Sequence, residues 1–95
     1  MSKFMMFGKY SSEALKGISA ERTDKAIKII NKNKGKVISM YAVMGKYDLI
    51  FTLDFPDAEK AMKTSVELNK LTGIGFSTSP AIDIEEFDKL ISKKK

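Results

Sequence analysis

Residues 36–57 read KVISMYAVMGKYDLIFTLDFPD. Two runs rich in β-branched and aromatic residues, 36–44 and 47–55, flank the dipeptide Gly45-Lys46. Runs of this kind separated by two residues predict a β-hairpin. Glycine at the first central position suits a type II′ turn, whose twist matches that of the strands. Such a turn sets Met44 opposite Tyr47. The pairs then run Val43/Asp48, Ala42/Leu49, Tyr41/Ile50, Met40/Phe51, Ser39/Thr52 and Ile38/Leu53. Side chains alternate with period two. One face therefore carries Ile38, Met40, Ala42, Met44, Leu49, Phe51 and Leu53, with Tyr47 at its end, and belongs under helices. The other carries Val37, Ser39, Tyr41, Val43, Asp48, Ile50 and Thr52, half apolar and half polar.

Outward from the hairpin, Pro56 ends the second strand, Asp57 caps the helix AEKAMKTSVELNKLT, and Gly73 closes it. The weaker strand IGFSTSPAI (74–82) follows, its Pro80 suited to a sheet edge. Asp83 opens a short helix, IEEFDKLI, before three lysines. Ahead of the hairpin, FMMFGKY (4–10) predicts a strand, and Ser11 or Ser12 caps a helical turn broken at Gly17. Ser19 caps a second helix with an apolar stripe of Ala26, Ile27, Ile29 and Ile30, and Gly35 stands where a left-handed cap is usual. The order is β-α-β-β-α-β plus a terminal helix. That is an α+β, ferredoxin-like sandwich, one domain over residues 1–95, with both main helices on one face of the sheet.

A sheet face open to water is more polar than the second face of this hairpin. The pattern predicts that a second copy covers Tyr41, Val43 and Ile50, sheet on sheet, about a two-fold axis. Ser39, Thr52, Ser77 and Ser79 are small polar residues that leave room for a ligand between the sheets.

Composition narrows the chemistry. The chain has no histidine and no cysteine. That removes the commonest general base, the usual haem and zinc ligands and any thiolate site. Any catalysis would have to rest on carboxylates, tyrosines, lysines or a bound cofactor; the expectation is no metal and no cofactor. The net charge of +5 is uneven: residues 1–47 carry +7 and residues 48–95 carry −2. The basic excess runs from Arg22 to Lys36. It predicts a solvated helix face rather than a nucleic-acid surface, because it holds one arginine and no aromatic residue. No apolar stretch approaches the ~18 residues of a membrane span, and the N-terminal stretch, without a long apolar core or a small-residue cleavage site, is not expected to be a signal peptide. A cytoplasmic location is the expectation. Met5, Met6, Met40, Met44 and Met62 predict core filling rather than metal binding, and the acids Asp83–Asp88 predict a helix cap.

The stretches FGKYSSEALKGI, Gly45-Lys46-Tyr47-Asp48 as G-x-Y-D, and TSPAIDIEEF resemble the GYD domain family over nearly the whole length. The resemblance implies a dimeric α/β barrel and brings no established activity. The hairpin also looks like that of the effector-binding domain of Lrp/AsnC regulators, which have Gly and Asp placed as Gly45 and Asp48 and bind amino acids near subunit interfaces. The expectation is a barrel with no helix-turn-helix ahead of it, so that a DNA-binding regulator role would need a separate protein to supply that part. The fold further resembles antibiotic-biosynthesis-type monooxygenases and their haem-degrading relatives, whose histidine ligation this chain lacks.

The expected function is a small-molecule-binding or sensory module acting as a homodimer or an assembly of dimers. The candidate ligand-binding residues are Lys9, Ser39, Tyr41, Asp48, Thr52 and Ser77. Asp48 has two readings: a carboxylate that holds backbone near the turn or pairs with a lysine such as Lys9, or a polar anchor in a cleft. An alternative is a cofactor-free oxygenase or isomerase with Asp48 as base and Tyr41 as hydrogen-bond donor. A third is a protein that only assembles.

Overall fold

The computed structural model describes residues 1–92. Its elements are β1 (Ser2–Lys9), α1 (Ser12–Lys16), α2 (Ala20–Lys32), β2 (Lys36–Ala42), β3 (Leu49–Phe55), α3 (Ala58–Thr72), β4 (Gly75–Ala81) and α4 (Ile84–Ile91). The sheet is antiparallel in the order β2-β3-β1-β4. This is the ferredoxin-like arrangement, with β4 and its Pro80 on an edge. The three lysines at the C-terminus lie outside the described residues.

Local chemistry fixes the helix starts. The Ser11 hydroxyl accepts the Ala14 N–H and the Ser19 hydroxyl accepts the Arg22 N–H, both at 3.0 Å. The Asp57 carboxylate accepts the Lys60 N–H at 2.9 Å. Gly73 ends α3 at φ 78°, its N–H donating to the Asn69 carbonyl. α2 and α3 cover one face of the sheet. Phe4 and Met6 of β1, Phe51, Leu53 and Phe55 of β3, Ala26 and Ile30 of α2, and Ala61 and Leu68 of α3 form the core between the layers. Full burial of each large side chain there stabilises by about 1.5–3 kcal/mol. Phe4 meets Phe55 edge to face at 6.0 Å.

The structure corrects several expectations. The hairpin register holds for Ala42/Leu49, Tyr41/Ile50, Met40/Phe51 and Ser39/Thr52, but Leu53 pairs with Val37. A β-bulge makes Ile38 the extra residue, so Val37 packs against the core and Ile38 is exposed. Counting by twos from the turn cannot register an inserted residue. The strands also stop at Ala42 and Leu49. The outermost bond of the hairpin runs from the Val43 N–H to the Asp48 carbonyl, so the connection is wider than a two-residue turn. Alternation ends with the strands. Tyr47 accordingly lies against Phe7, ring centroids 5.1 Å apart, on the face away from the helices.

Gly35 does not take the left-handed conformation; Lys34 does, at φ 66°. Gly35 is needed for close approach, because a Cβ there would stand 2.5 Å from Phe55 Cε1 and 2.9 Å from Ile30 Cγ2. Of the five methionines expected in the core, only Met6 is fully buried. Met44 at the hairpin tip is 96% exposed and Met62 faces outward. Asp83 precedes α4 but makes no side-chain cap bond; its carboxylate takes the Lys3 ammonium at 3.0 Å instead.

Candidate functional site

Strand pairing lays the predicted site residues out in rows on the face away from the helices. Ser39, Thr52, Met5 and Ser79 are successive ladder partners across β2, β3, β1 and β4. Tyr41, Ile50, Phe7 and Ser77 form the next row. Ladder neighbours stand about 5 Å apart and rows on one face about 7 Å apart. Ser39, Tyr41, Thr52 and Ser77 therefore belong to one surface patch around Phe7 and Ile50. The Thr52 hydroxyl donates to Met5 Sδ at 3.3 Å. Tyr41 is 63% exposed on the edge strand.

Lys9 and Asp48 lie at the hairpin end of this face. The Asp48 N–H donates to the Gly8 carbonyl and its carboxylate accepts the Tyr10 N–H, each at 2.8 Å. Lys9 Nζ stands 3.8 Å from the same carboxylate oxygen. Asp48 thus extends the β1–β3 ladder with its side chain, pinning the chain where it leaves β1 for α1. At the opposite end of the face Lys3 pairs with Asp83. The hydrogen bond it donates to Asp83, then the Asp83 charge, holds the Lys3 ammonium above its usual range, and Asp54 and Glu86 add to this.

A second feature lies on the other face. Between the first turns of α2 and the last turn of α3, the helix-side residues Met40, Ala42, Leu49 and Phe51 floor a cleft of ≈ 290 Å³, which Tyr41 also lines. Tyr10, Ile18, Ser19, Arg22, Thr23 and Ala26 wall it on one side. Leu68, Thr72, Ile74 and Phe76 wall it on the other. Phe76 packs against Phe51 at a tilt of 42°, centroids 5.4 Å apart. Thr72 is internally satisfied: its hydroxyl donates to the Leu68 carbonyl and accepts the Ile74 N–H. Arg22 is half-buried at the polar end. One of its nitrogens donates to the Ala14 carbonyl, and its guanidinium lies 5.9 Å from the Tyr10 ring centroid.

The family model of the GYD domain matches residues 4–91. The chain belongs to the GYD domain family. None of the curated proteins matches it in sequence. Among solved structures the fold is similar to the leucine response regulatory protein of Mycobacterium tuberculosis. That match has a TM-score of 0.57 and 10% identity over 86% of this chain and 51% of that one. It is also similar to a chain described as a glutamate-to-alanine mutant, with a TM-score of 0.56 and 10% identity over 86% of this chain and 50% of the other. The chain spans about half the length of each.

In this GYD domain the signature residues have visible structural work. Gly45 sits at φ 115°, which side-chain-bearing residues rarely adopt. Tyr47 covers Phe7, and Lys46 Nζ lies 5.6 Å from the Tyr47 ring centroid. The candidate residues divide into the patch on the open face and the Lys9–Asp48 pair at its end, and Tyr41 of the patch also lines the cleft. The cleft was missed because four separate stretches build it. Its one sequence signal was Arg22, the only arginine in the chain.

Proposed function

We propose that this GYD domain is a small-molecule-binding module that works as a homodimer or an assembly of dimers. The cleft carries the reading: concave, mostly apolar walls with a few converging polar groups are what a ligand site requires. At ≈ 290 Å³ it lies at the lower end of such sites. The leucine response regulatory protein, by its name a regulator responding to leucine, supports the same class of role through fold alone.

Two apolar surfaces that no described residue covers support assembly. One is the open sheet face around Phe7, Ile50 and Tyr41. The other is α4, which buries no residue although Ile84, Phe87, Leu90 and Ile91 make it amphipathic. An eight-residue helix is marginal without tertiary packing, so a partner copy is the natural cover. In such a dimer Ser39, Thr52, Ser77 and Ser79 would line the space between the sheets, and Lys9 with Asp48 its end. No helix among the described residues is long and apolar enough to cross a membrane, and a cytoplasmic location goes with this reading. The enzyme alternative is weaker, because the Asp48 carboxylate already holds the Tyr10 N–H and faces Lys9.

Native mass spectrometry on the purified chain, followed by a denaturing spectrum, tests both halves. The expected result is an even-numbered oligomer at micromolar concentration, with added mass that denaturation releases. A monomer would remove the assembly argument.

A further inference from the structure

Arg22 is in an unusual place. A cation in the first turn of a helix works against the helix dipole, so helix chemistry does not account for it. Arg22 follows its N-cap Ser19 by three residues. Among the described residues no carboxylate lies within 4 Å of it; neighbouring Glu21 pairs with Lys25 instead. Its bond to the Ala14 carbonyl uses one of five donors. The remaining donors and a full charge stand at the rim of an apolar cleft whose lining contains no acid. Gly17 leaves the space the guanidinium occupies, since a Cβ there would come within 2.9 Å of Arg22 Nη1.

Resting on the ligand-binding reading above, we propose that the cleft takes an apolar monocarboxylate without an amino group. Arg22 would bind the carboxylate, and the surface of Met40, Leu49, Phe51 and Phe76 the hydrocarbon body. An oxyanion gains charge-assisted hydrogen bonds from the guanidinium. An ammonium group on the same molecule would be desolvated in a cleft that offers no carboxylate to receive it. Amino acids are therefore selected against. The lone cation distinguishes the site from a purely hydrophobic pocket, which would prefer the neutral molecule.

The test uses three probes of one skeleton: 3-phenylpropanoate, its neutral amide, and L-phenylalanine. Isothermal titration of the full chain should show the acid binding about tenfold or more tighter than either of the others, as a hydrogen-bonded charge implies. Arg22→Gln should bring the acid to the level of the amide. Backbone NMR shifts on adding the acid should centre on Met40, Leu49 and Thr72, not on Ser39, Thr52 and Ser77. Gly17→Ala is the second variant, because Gly17 has an ordinary φ of −94° and the added methyl displaces only the guanidinium. It should weaken the acid and leave the amide unchanged. Equal binding of acid and amide, or a preference that survives both substitutions, overturns the proposal while leaving the cleft a ligand site. Binding of none of the three, with the chain folded, overturns the cleft reading as well.

Discussion

The Asp48 carboxylate does for β1 what another ladder residue would do, accepting the Tyr10 N–H at 2.8 Å. Asp48→Ala leaves that donor without its partner, and urea unfolding should show a loss of about 1–3 kcal/mol. Asp48→Asn keeps an acceptor oxygen and should lose less. Unchanged stability in Asp48→Ala would refute the pinning role. That this carboxylate holds backbone near the turn was one of the readings open in the sequence, but its pairing with Lys9 depends on which strands are neighbours and could not be settled there. Gly35 was not: a glycine needed for φ and a glycine needed for space look alike until Phe55 is seen against it. Gly35→Ala should cost about 1–3 kcal/mol by overpacking. On β4, Thr78 buries its hydroxyl without a hydrogen-bond partner among the described residues. Thr78→Val keeps the shape and removes the unmet polar group. It should raise stability by on the order of 1 kcal/mol, read as a higher urea midpoint. A lower midpoint would reveal a partner for the hydroxyl.

At the scale of elements, most of the fold could be read from pattern. Caps, the αL glycine after α3 and the alternation of β3 all act through neighbours in sequence. Failures occurred where an element answers to something distant. The bulge at Ile38 and the wide hairpin connection displace side chains that simple alternation would place, and the cleft is walled by residues of α2 and α3 that stand far apart in sequence. The joint between α2 and α3 is another distant contact. The buried Asn33, C-cap of α2, donates through Nδ2 to the Ile29 carbonyl and to Glu67 Oε1 at 2.9 Å. The Asn33 bond holds the Glu67 carboxyl below its ordinary value of 4.5; burial opposes this, and the Lys32 and Lys63 charges assist. A carboxyl whose pKa is lowered by folding contributes stability that is present above the unfolded value. That contribution is lost as pH falls from about 4.5 through the lower folded value. The stability gap between wild type and Glu67→Gln should therefore shrink on moving from pH 7 to pH 3 in urea unfolding. A gap independent of pH would show that Glu67 does not couple the helices.

The whole molecule is more extended than its length requires. Its radius of gyration is 14.6 Å and its extents are 54 × 30 × 18 Å, where a compact chain of this size has a radius of about 12 Å. Its accessible surface is 6572 Å², against about 5,500 Å² for a compact monomer of its mass. The excess is of the order that one partner buries in a standard interface, about 800 Å². Part of the surface that would be covered is α4. Because α4 buries nothing within one chain, a charge on its apolar stripe should leave the single chain's fold intact and act only on assembly. Phe87→Glu should therefore weaken self-association about tenfold or more, read by sedimentation across a concentration series. The far-UV circular dichroism per chain should stay unchanged outside the eight helical residues. If association is unaffected, α4 lies outside the interface and the open sheet face alone would have to hold the proposed dimer. Ile50→Lys, at the centre of that face between Tyr41 and Phe7, should then separate the subunits where Phe87→Glu did not.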